Sequence, residues 1–370
     1  MSGEKSAVYF ADLRADTQRG LFDKLDALLT GVGLDGRFAR GDLVAVKLHF
    51  GEKGNTSFIP PVFVRRVVDR VRATGAEVFL TDTNTLYVGT RANSASHLRT
   101  AIENGFSYAV AGAPLIIADG LRGADGTAVE VAGKHAKEVR IAREITSASA
   151  MVVLTHFKCH EMTGFGGALK NVGMGCADRS GKLAQHSNCA PVVDPGGCTG
   201  CGECALVCPA DAIDVGAVAV IDEAACMGCG HCIAACPEDA IKVRWNETTV
   251  NLAEKMAEHA AGALKGKEGK LVFVTFIRDV SPLCDCYGHT DAPIVPDIGM
   301  LASTDPVAID QAAADLVNAA TGLPGTALRS GFGPGEDKFR GVHPDVDWTV
   351  QLDHAEAMGL GTRAYRLEEA

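Results

Sequence analysis

Short apolar runs alternate with amphipathic segments along the first half of the chain, and this alternation predicts strands separated by helices. Apolar runs of strand length occupy residues 6–11, 43–49, 77–82, 114–118 and 151–156, with further candidates at 128–132 and 138–142. Between two of these runs, Pro60 and Pro61 open a segment with helical spacing of Val and Phe, and Gly75 ends it. Strands and helices in this order predict an α/β unit with a mostly parallel sheet.

The polar residues that end these runs predict where ligands bind. In open parallel sheets, ligands gather in the crevice outside the carboxyl ends of the strands. Three of the predicted strands end at His49, Asp82 and His156. The loops that begin at these residues are therefore predicted to face one crevice.

A different pattern occupies residues 198–237, where the chain reads CTGCGECALVCP and later CMGCGHCIAACP. Runs of this kind bind cubane iron–sulfur clusters, and the cysteine before proline ligates the other cluster. The spacing predicts one 4Fe–4S cluster on Cys198, Cys201, Cys204 and Cys236. It predicts a second 4Fe–4S cluster on Cys226, Cys229, Cys232 and Cys208. Two complete copies favour clusters over structural zinc or disulfides, and the segment resembles a bacterial two-cluster ferredoxin domain.

The position of this segment predicts how the domains are arranged. The apolar run LVFVTF follows it at 271–276 and returns to the pattern of a buried strand. We therefore expect an α/β domain with a mostly parallel sheet, into which a ferredoxin-like α+β domain with two 4Fe–4S clusters is inserted. The predicted boundaries are 1–189 for the first part of the α/β domain, 190–245 for the insertion and 246–370 for the second part.

Three cysteines outside the double run are candidate ligands of a metal ion or a third cluster. Cys284 and Cys286 flank one aspartate in a loop rich in Asp, Gly and Pro, where thiols two residues apart can point to the same side. Cys176 follows a glycine-rich stretch and is a candidate third ligand. The alternative is that these cysteines pack as small buried hydrophobic residues.

Histidines and lysines in the predicted crevice suggest a site for a small anion. His49 and His156 end predicted strands, and Lys170 lies in the glycine-rich segment after the second of them. Imidazole titrates near neutral pH and can donate a proton to a substrate that is being reduced. The alternative is that the histidines are ordinary core or surface residues and that the lysine is solvated.

Composition narrows the classes of function. The chain has 370 residues, 47% of them hydrophobic and 22% charged, which fits two or three globular domains. A net charge of −11 argues against nucleic acid or a membrane as partner. No targeting segment and no apolar run of about 20 residues is visible, so we expect a cytoplasmic protein. Thirteen cysteines in such a protein indicate metal binding or catalysis rather than disulfides.

Several long motifs together resemble one family over nearly the whole chain. They are KLHFGEKGNTSF, LTDTNTLYVGTR, THFKCHEMTGFGGALKNVGMG, CDC and PDIGMLASTDPVAID. The sequence resembles the family called domain of unknown function 362, in the form that carries a ferredoxin insertion. The resemblance implies an iron–sulfur protein of anaerobic metabolism and leaves the reaction open.

Three hypotheses about function follow from these patterns. The first is an iron–sulfur oxidoreductase, in which two clusters pass electrons to a Cys/His/Lys-lined site that reduces a small anionic substrate. The second is an electron-transfer module, in which the α/β domain only docks redox partner proteins. The third is a protein that handles a metal or a cluster through the additional thiols.

Overall fold

The computed structural model describes residues 5–370, and it contains a large central sheet with helices on both faces. The strands are β1 (Ser6–Asp12), β2 (Leu43–Lys47), β3 (Glu77–Asp82), β4 (Leu115–Ile117), β5 (Gly126–Glu130), β6 (Glu138–Ala142), β7 (Ala150–His156), β8 (Lys158–His160), β9 (Gly164–Gly166), β10 (Val192–Val193), β11 (Ile213–Val215), β12 (Ala219–Ile221), β13 (Ile241–Lys242), β14 (Leu271–Ile277), β15 (Gly299–Ser303) and β16 (Tyr365–Glu369). The helices are α1 (Leu21–Gly31), α2 (Pro61–Ala73), α3 (Ser94–Glu103), α4 (Tyr108–Ala111), α5 (Arg143–Ser147), α6 (Ala168–Gly173), α7 (Arg179–His186), α8 (Glu203–Leu206), α9 (His231–Ala235), α10 (Thr249–Leu264), α11 (Pro306–Ala319), α12 (Lys338–Val342) and α13 (Val350–Ala357), with a 3₁₀ turn at Leu34–Gly36.

The central sheet has eight strands in the order β16-β1-β15-β14-β7-β2-β3-β4. Strands β4, β3, β2, β7 and β14 are parallel neighbours. Strand β15 runs antiparallel between β14 and β1, and β16 lies parallel to β1 at the edge. The prediction of an α/β fold with a mostly parallel sheet is confirmed.

Alternate residues of the central strands pack into two separate hydrophobic cores. Val152 and Leu154 of β7 face the layer that contains α1 and α2. Met151 and Val153 face the layer that contains α6, α10 and α11. Because both faces of a parallel sheet are covered, its strands are apolar at nearly every position, and this explains their continuous hydrophobic runs.

Two elements differ from the sequence prediction. The candidate strands near 128 and 138 form a separate hairpin of β5 and β6, whose β5 strand alternates between exposed and partly buried residues and does not join the sheet. Strand β15 was not predicted, although all five of its residues are buried. Its run GMLAS is short and contains small residues, so its composition gives little indication of a strand.

Between β7 and β14 the chain leaves the sheet and then returns to it, because β14 pairs directly with β7. Residues 190–245 contain two small antiparallel ribbons, β10 with β13 and β11 with β12, and the short helices α8 and α9. A small hydrophobic core joins this segment to the rest of the chain. Among residues 5–370, no helix has the length and apolar character needed to cross a lipid bilayer.

Candidate functional site

A cavity of about 800 Å³ opens at the carboxyl ends of β2, β3 and β7. His49, Asp82 and His156, which end or follow these strands, all line its wall. Parallel strands place their carboxyl ends at one edge of a sheet, and residues far apart in sequence meet there for that reason. The structure therefore brings the three strand-exit loops to one crevice.

Paired charges form one wall of the cavity. Lys47 Nζ lies 3.0 Å from the Asp82 carboxylate and donates a 2.8 Å hydrogen bond to Asn171. Arg91 Nε lies 3.1 Å from Glu52, and its Nη1 lies 3.5 Å from Asp82. Burial opposes ionisation of Asp82, but Lys47 and the other cations around it hold the pKa of its carboxyl well below the usual value.

His49 presents an unpaired ring nitrogen at this wall. Its Nδ1 accepts a 2.8 Å hydrogen bond from the Gly51 amide, so the neutral ring carries its proton on Nε2. Nε2 is buried and has no hydrogen-bond partner among residues 5–370. Burial, reinforced by Arg91, lowers the pKa of His49 to about 3. His49 is therefore a neutral donor that lacks an acceptor, which suits it to donate a hydrogen bond to a ligand.

His156 is held on both of its ring nitrogens. Nδ1 lies 2.9 Å from the Asp285 carboxylate, and Nε2 lies 2.8 Å from the carbonyl of Arg278. Lys158 Nζ lies 3.1 Å from the Asp285 carboxylate, and Ser57 Oγ donates a 3.2 Å hydrogen bond to the same carboxylate. Both nitrogens of His156 thus face acceptors, so the ring positions Asp285 and has no nitrogen left for a substrate.

Cys284 and Cys286 line the cavity beside Lys170. Cys284 Sγ accepts a 3.3 Å hydrogen bond from the Cys286 amide, and Lys170 Nζ lies 3.6 Å from the same sulfur. A hydrogen bond from the Cys286 thiol, together with Lys170, lowers the pKa of Cys284 well below the usual value. Burial tends to lower the pKa of Lys170. The negative charge of Cys284 and Cys286 outweighs that effect, so the pKa of Lys170 is raised. The arrangement favours a thiolate at Cys284.

The structure does not bring Cys176 to Cys284 and Cys286. Cys176 is completely buried, packs in the hydrophobic core on one face of the sheet and does not line the cavity. Within residues 5–370, no group of three or more His, Cys, Asp or Glu side chains is arranged to hold a single metal ion. Cys176 therefore occupies a packing position of the kind that free cysteine often takes.

The eight cysteines of the double run line two small cavities in groups of four. One cavity is lined by Cys198, Cys201, Cys204 and Cys236. The other is lined by Cys208, Cys226, Cys229 and Cys232. Backbone amides donate hydrogen bonds to sulfurs of both groups, to Cys198 at 3.4 Å, to Cys208 at 3.3 Å and to Cys236 at 3.2 Å. Each group contains the fourth cysteine of the other run, as the spacing predicts.

Leu86 connects the large cavity with the cysteine-rich segment. Its side chain lines the cavity and also packs in the small hydrophobic core that contains Cys232 and Leu183. Arg179, at the start of α7, is fully buried and donates a 3.4 Å hydrogen bond to the Leu86 carbonyl. A Cβ on Gly230, in the second cysteine run, would lie 3.3 Å from the Arg179 side chain. The second cysteine group is thus packed against the wall of the cavity.

Sequence reasoning missed several residues of the cavity wall. Buried Glu52 and Arg91 and half-buried Tyr87 form a network in which Arg91 donates a 2.7 Å hydrogen bond to the Tyr87 hydroxyl. Their signal was their position in the polar loops after β2 and β3. Asp285 was noticed only as the residue between two thiols, because its partners are more than a hundred residues away in sequence.

His97 gives a prediction about pH. Its side chain is fully buried beside Phe50, and neither ring nitrogen has a hydrogen-bond partner among the described residues, although Nε2 lies 3.8 Å from the Asp82 carboxylate. Burial lowers the pKa of His97 to about 3. The unfolded chain binds a proton below about pH 6.5, whereas the folded chain does not until about pH 3, so stability falls as the pH drops through this window. We expect this residue to account for about 2 kcal/mol of the stability lost between pH 7 and pH 5.

The measurement is the free energy of unfolding from urea titrations at the two pH values. His97→Leu should lose about 2 kcal/mol less than the wild type does between pH 7 and pH 5. The control is His289→Gln, which replaces an exposed histidine. Its free energy of unfolding should fall between pH 7 and pH 5 by the same amount as that of the wild type. An equal loss in all three proteins would contradict the assignment.

The fold and the cavity define an α/β protein with a ligand crevice at the carboxyl ends of its strands and a cysteine-rich segment beside it. The chain belongs to the family described as Domain of unknown function (DUF362), whose model matches residues 44–315. A search of the curated proteins found no match.

Two solved structures show distant similarity. One is the lactate racemase apoprotein from Thermoanaerobacterium thermosaccharolyticum, with 11% identity and a TM-score of 0.36, covering 69% of this chain and 49% of that chain. The other is a protein from Thermotoga maritima, with 10% identity and a TM-score of 0.36, covering 71% of this chain and 52% of that chain. The chain thus spans about half the length of these proteins, and similarity at this level carries no argument about function.

Proposed function

We propose that this protein is an iron–sulfur oxidoreductase in which two 4Fe–4S clusters deliver electrons to the large cavity, where a small anionic substrate is reduced. One observation carries the proposal. Leu86 lines the cavity and also packs in the hydrophobic core that contains Cys232, so the cysteine-rich segment adjoins the cavity wall. Residues 190–245 are the ferredoxin-like insertion in this proposal.

The cysteine geometry fits the clusters. Four thiols surround each small cavity, in the crossed pairing that a two-cluster ferredoxin requires. The amides of Ala219 and Ala212 donate to sulfurs of the two groups, and hydrogen bonds of this kind help to set a cluster's potential. The clusters, when bound, supply single electrons.

The charge of the cavity supports an anionic substrate. Six lysine and arginine residues line it against four aspartate and glutamate residues, and one net positive charge remains when the Cys284 thiolate is counted. Four of these cations have acidic partners, whereas Lys170 and Lys182 have no carboxylate within ion-pair distance in the described chain. Lys182 donates instead to Thr83 and to the Ala177 carbonyl, and Lys170 lies beside Cys284 at the cavity. Lys170 is therefore proposed to bind the anion, and the free Nε2 of His49 to donate a hydrogen bond to it.

Exposed apolar side chains around the clusters favour a redox partner protein. Leu206, Met227 and Val220 are 80%, 66% and 63% exposed, and each lies in the cysteine-rich segment. Apolar side chains on a surface are suited to transient docking. A partner that docks there would exchange electrons with the clusters. If the protein were only an electron-transfer module, this surface would be functional and the large cavity would not.

A third metal centre at Cys284 and Cys286 stays a prediction with a simple consequence. A third 4Fe–4S cluster would raise the iron content from about eight to about twelve per chain. Replacing both cysteines with serine would then return it to about eight. Cys176 does not line the cavity, so any further ligands would have to come from other groups.

The function is tested by reoxidation of the reduced clusters. Protein purified without oxygen is reduced with dithionite, freed of excess reductant and mixed with small electron acceptors, either carboxylate-bearing or uncharged. Cluster absorbance should recover faster with the anionic acceptors. Lys170→Met should slow that recovery at least tenfold, about 1.4 kcal/mol in activation free energy, because the anion loses its cation.

The matched control is Lys134→Met, which removes an exposed lysine in the loop of the β5–β6 hairpin. This lysine pairs with Glu254 of α10. The variant should reoxidise as the wild type does. Clusters that are present but respond to no acceptor would contradict the enzyme and favour the docking module. Equal rates in the two lysine variants would remove Lys170 from the site.

A further inference from the structure

The two thiols of the cavity are carried by one tight turn. The Tyr287 amide donates a 3.2 Å hydrogen bond to the Cys284 carbonyl, which closes a β-turn with Asp285 and Cys286 at its corners. Within the turn, the Cys286 amide donates to Cys284 Sγ at 3.3 Å. A turn of this kind folds the chain back so that the Cα atoms of its first and fourth residues, here Cys284 and Tyr287, lie within about 7 Å.

The turn is fixed by the residue between the cysteines. The Asp285 carboxylate contacts His156, Lys158 and Ser57 at distances of 2.9 to 3.2 Å, and all four side chains are buried. The cysteines make a different set of contacts, since Cys284 Sγ lies near Lys170 and both thiols line the cavity. The aspartate thus anchors the turn while the sulfurs stay available to a ligand.

The groups around the sulfurs suit thiol chemistry. Lys170 Nζ and the Cys286 amide both approach Cys284 Sγ as donors, and donors stabilise a thiolate, which is the nucleophilic form. The Tyr87 hydroxyl donates a 2.9 Å hydrogen bond to the Cys286 carbonyl and holds the other side of the turn. Thiol–disulfide exchange requires an attacking thiolate and a second thiol that resolves the mixed disulfide, and the two cysteines of this turn can supply both.

We propose that Cys284 and Cys286 are a redox-active dithiol that reduces a small disulfide bearing anionic groups. The inference rests on the proposed function for its source of electrons. It replaces the role of these two cysteines as metal ligands with a direct role in the reaction. The positive excess of the cavity and Lys170 select the anionic groups of the substrate, and its volume of about 800 Å³ admits a small molecule.

The reaction balances in three steps. The Cys284 thiolate attacks one substrate sulfur, forming a mixed disulfide and releasing a substrate thiolate. The Cys286 thiol then attacks Cys284 Sγ, which forms the Cys284–Cys286 disulfide, and its proton leaves with the second substrate thiol. The two clusters, when bound as proposed, would supply one electron each, and these two electrons with one proton would break that disulfide and regenerate the thiolate of Cys284 and the thiol of Cys286. The pair thereby joins two one-electron carriers to a two-electron reduction.

The test uses the full chain purified without oxygen, with glutathione disulfide as the anionic probe and cystamine as a cationic disulfide of the same chemistry. Mass spectrometry after alkylation reports the state of the peptide that contains both cysteines. Glutathione disulfide should convert that peptide from the doubly alkylated form to the internal disulfide at least tenfold faster than cystamine does.

Single substitutions assign the two thiols. Cys286→Ser should accumulate a mixed disulfide between Cys284 and glutathione, because the resolving thiol is missing, whereas Cys284→Ser should accumulate none. Cys189→Ser removes a half-buried thiol outside the cavity and should behave as the wild type does. Iron content and the melting temperature of each variant show that the chain still folds.

Three results would overturn the proposal. In the first, the peptide stays doubly alkylated with both probes. In the second, glutathione forms an adduct only at another cysteine. In the third, Cys284→Ser or Cys286→Ser loses iron, which would indicate a metal site. Absence of iron from the eight clustered cysteines together with a rapid internal disulfide would refute the proposed function and support the dithiol. Intact clusters without disulfide formation would refute the dithiol alone.

Discussion

Replacing Cys229 and Cys232 with alanine is expected to lower the iron content from about eight to about four per chain and to stop electrons from reaching the cavity. Both cysteines belong to the group packed against α7, where Gly230 contacts Arg179. Arg179 also donates a hydrogen bond to the Leu86 carbonyl at the cavity wall, so we propose that this cluster is the one nearer the cavity. Reoxidation by anionic acceptors should therefore fall to the rate seen with uncharged ones.

The matched variant removes the other cluster by replacing Cys198 and Cys201 with alanine. It should lose the same amount of iron. The second cluster still adjoins the cavity, so anionic acceptors should still reoxidise it. The change in absorbance should be half that of the wild type, because one cluster stores one electron and two clusters store two. Iron analysis, EPR of the reduced protein and cluster absorbance after mixing provide the measurements. Equal reoxidation rates in the two double variants would contradict the proposed order of the clusters.

Asp285→Ala is expected to destabilise the fold by about 3 to 5 kcal/mol, since it removes the carboxylate from a buried charged group. His156 and Lys158 both lie within 3.1 Å of that carboxylate, and the three side chains are buried. The free energy of unfolding from anaerobic urea titrations measures the loss. The variant should also free the turn that carries the two cavity thiols, so formation of the internal disulfide should slow.

The control for this prediction is Asp291→Ala, six residues along the same loop. Asp291 is exposed, and its carboxylate accepts a hydrogen bond from the neighbouring Ala292 amide. A surface change of this kind should alter the free energy of unfolding by no more than about 0.5 kcal/mol. If Asp285→Ala costs no more than this control, the buried carboxylate does not hold the turn as described.

Local patterns predicted most of the central sheet. The runs that became β2, β3 and β7 are apolar at nearly every position because helices cover both faces of the sheet, and this signal is visible in sequence. Strand β15 was missed because its stability comes from pairing with β1 and β14 and not from its own residues. The β5–β6 hairpin was predicted as two strands, but its separation from the central sheet depends on tertiary contacts that local patterns do not show.

The location of the cavity could be predicted, but the role of each residue could not. The rule about strand ends led to His49 and His156, yet only the structure shows that His49 has a free nitrogen whereas His156 has none. Likewise, Cys284 and Cys286 were grouped with Cys176 by residue type. The structure separates them, because α6 and the loop after it carry Cys176 into the hydrophobic core. Hydrogen-bond partners across 100 or more residues are not encoded in local spacing.

Metal analysis with EPR, on the full chain purified without oxygen, tests whether two 4Fe–4S clusters supply electrons to the cavity. We expect about eight irons and about eight acid-labile sulfides per chain. After reduction with dithionite, the spectrum should show two magnetically interacting clusters, because the two groups share one small core. Zinc in place of iron, or a chain without bound metal, would contradict the proposed clusters.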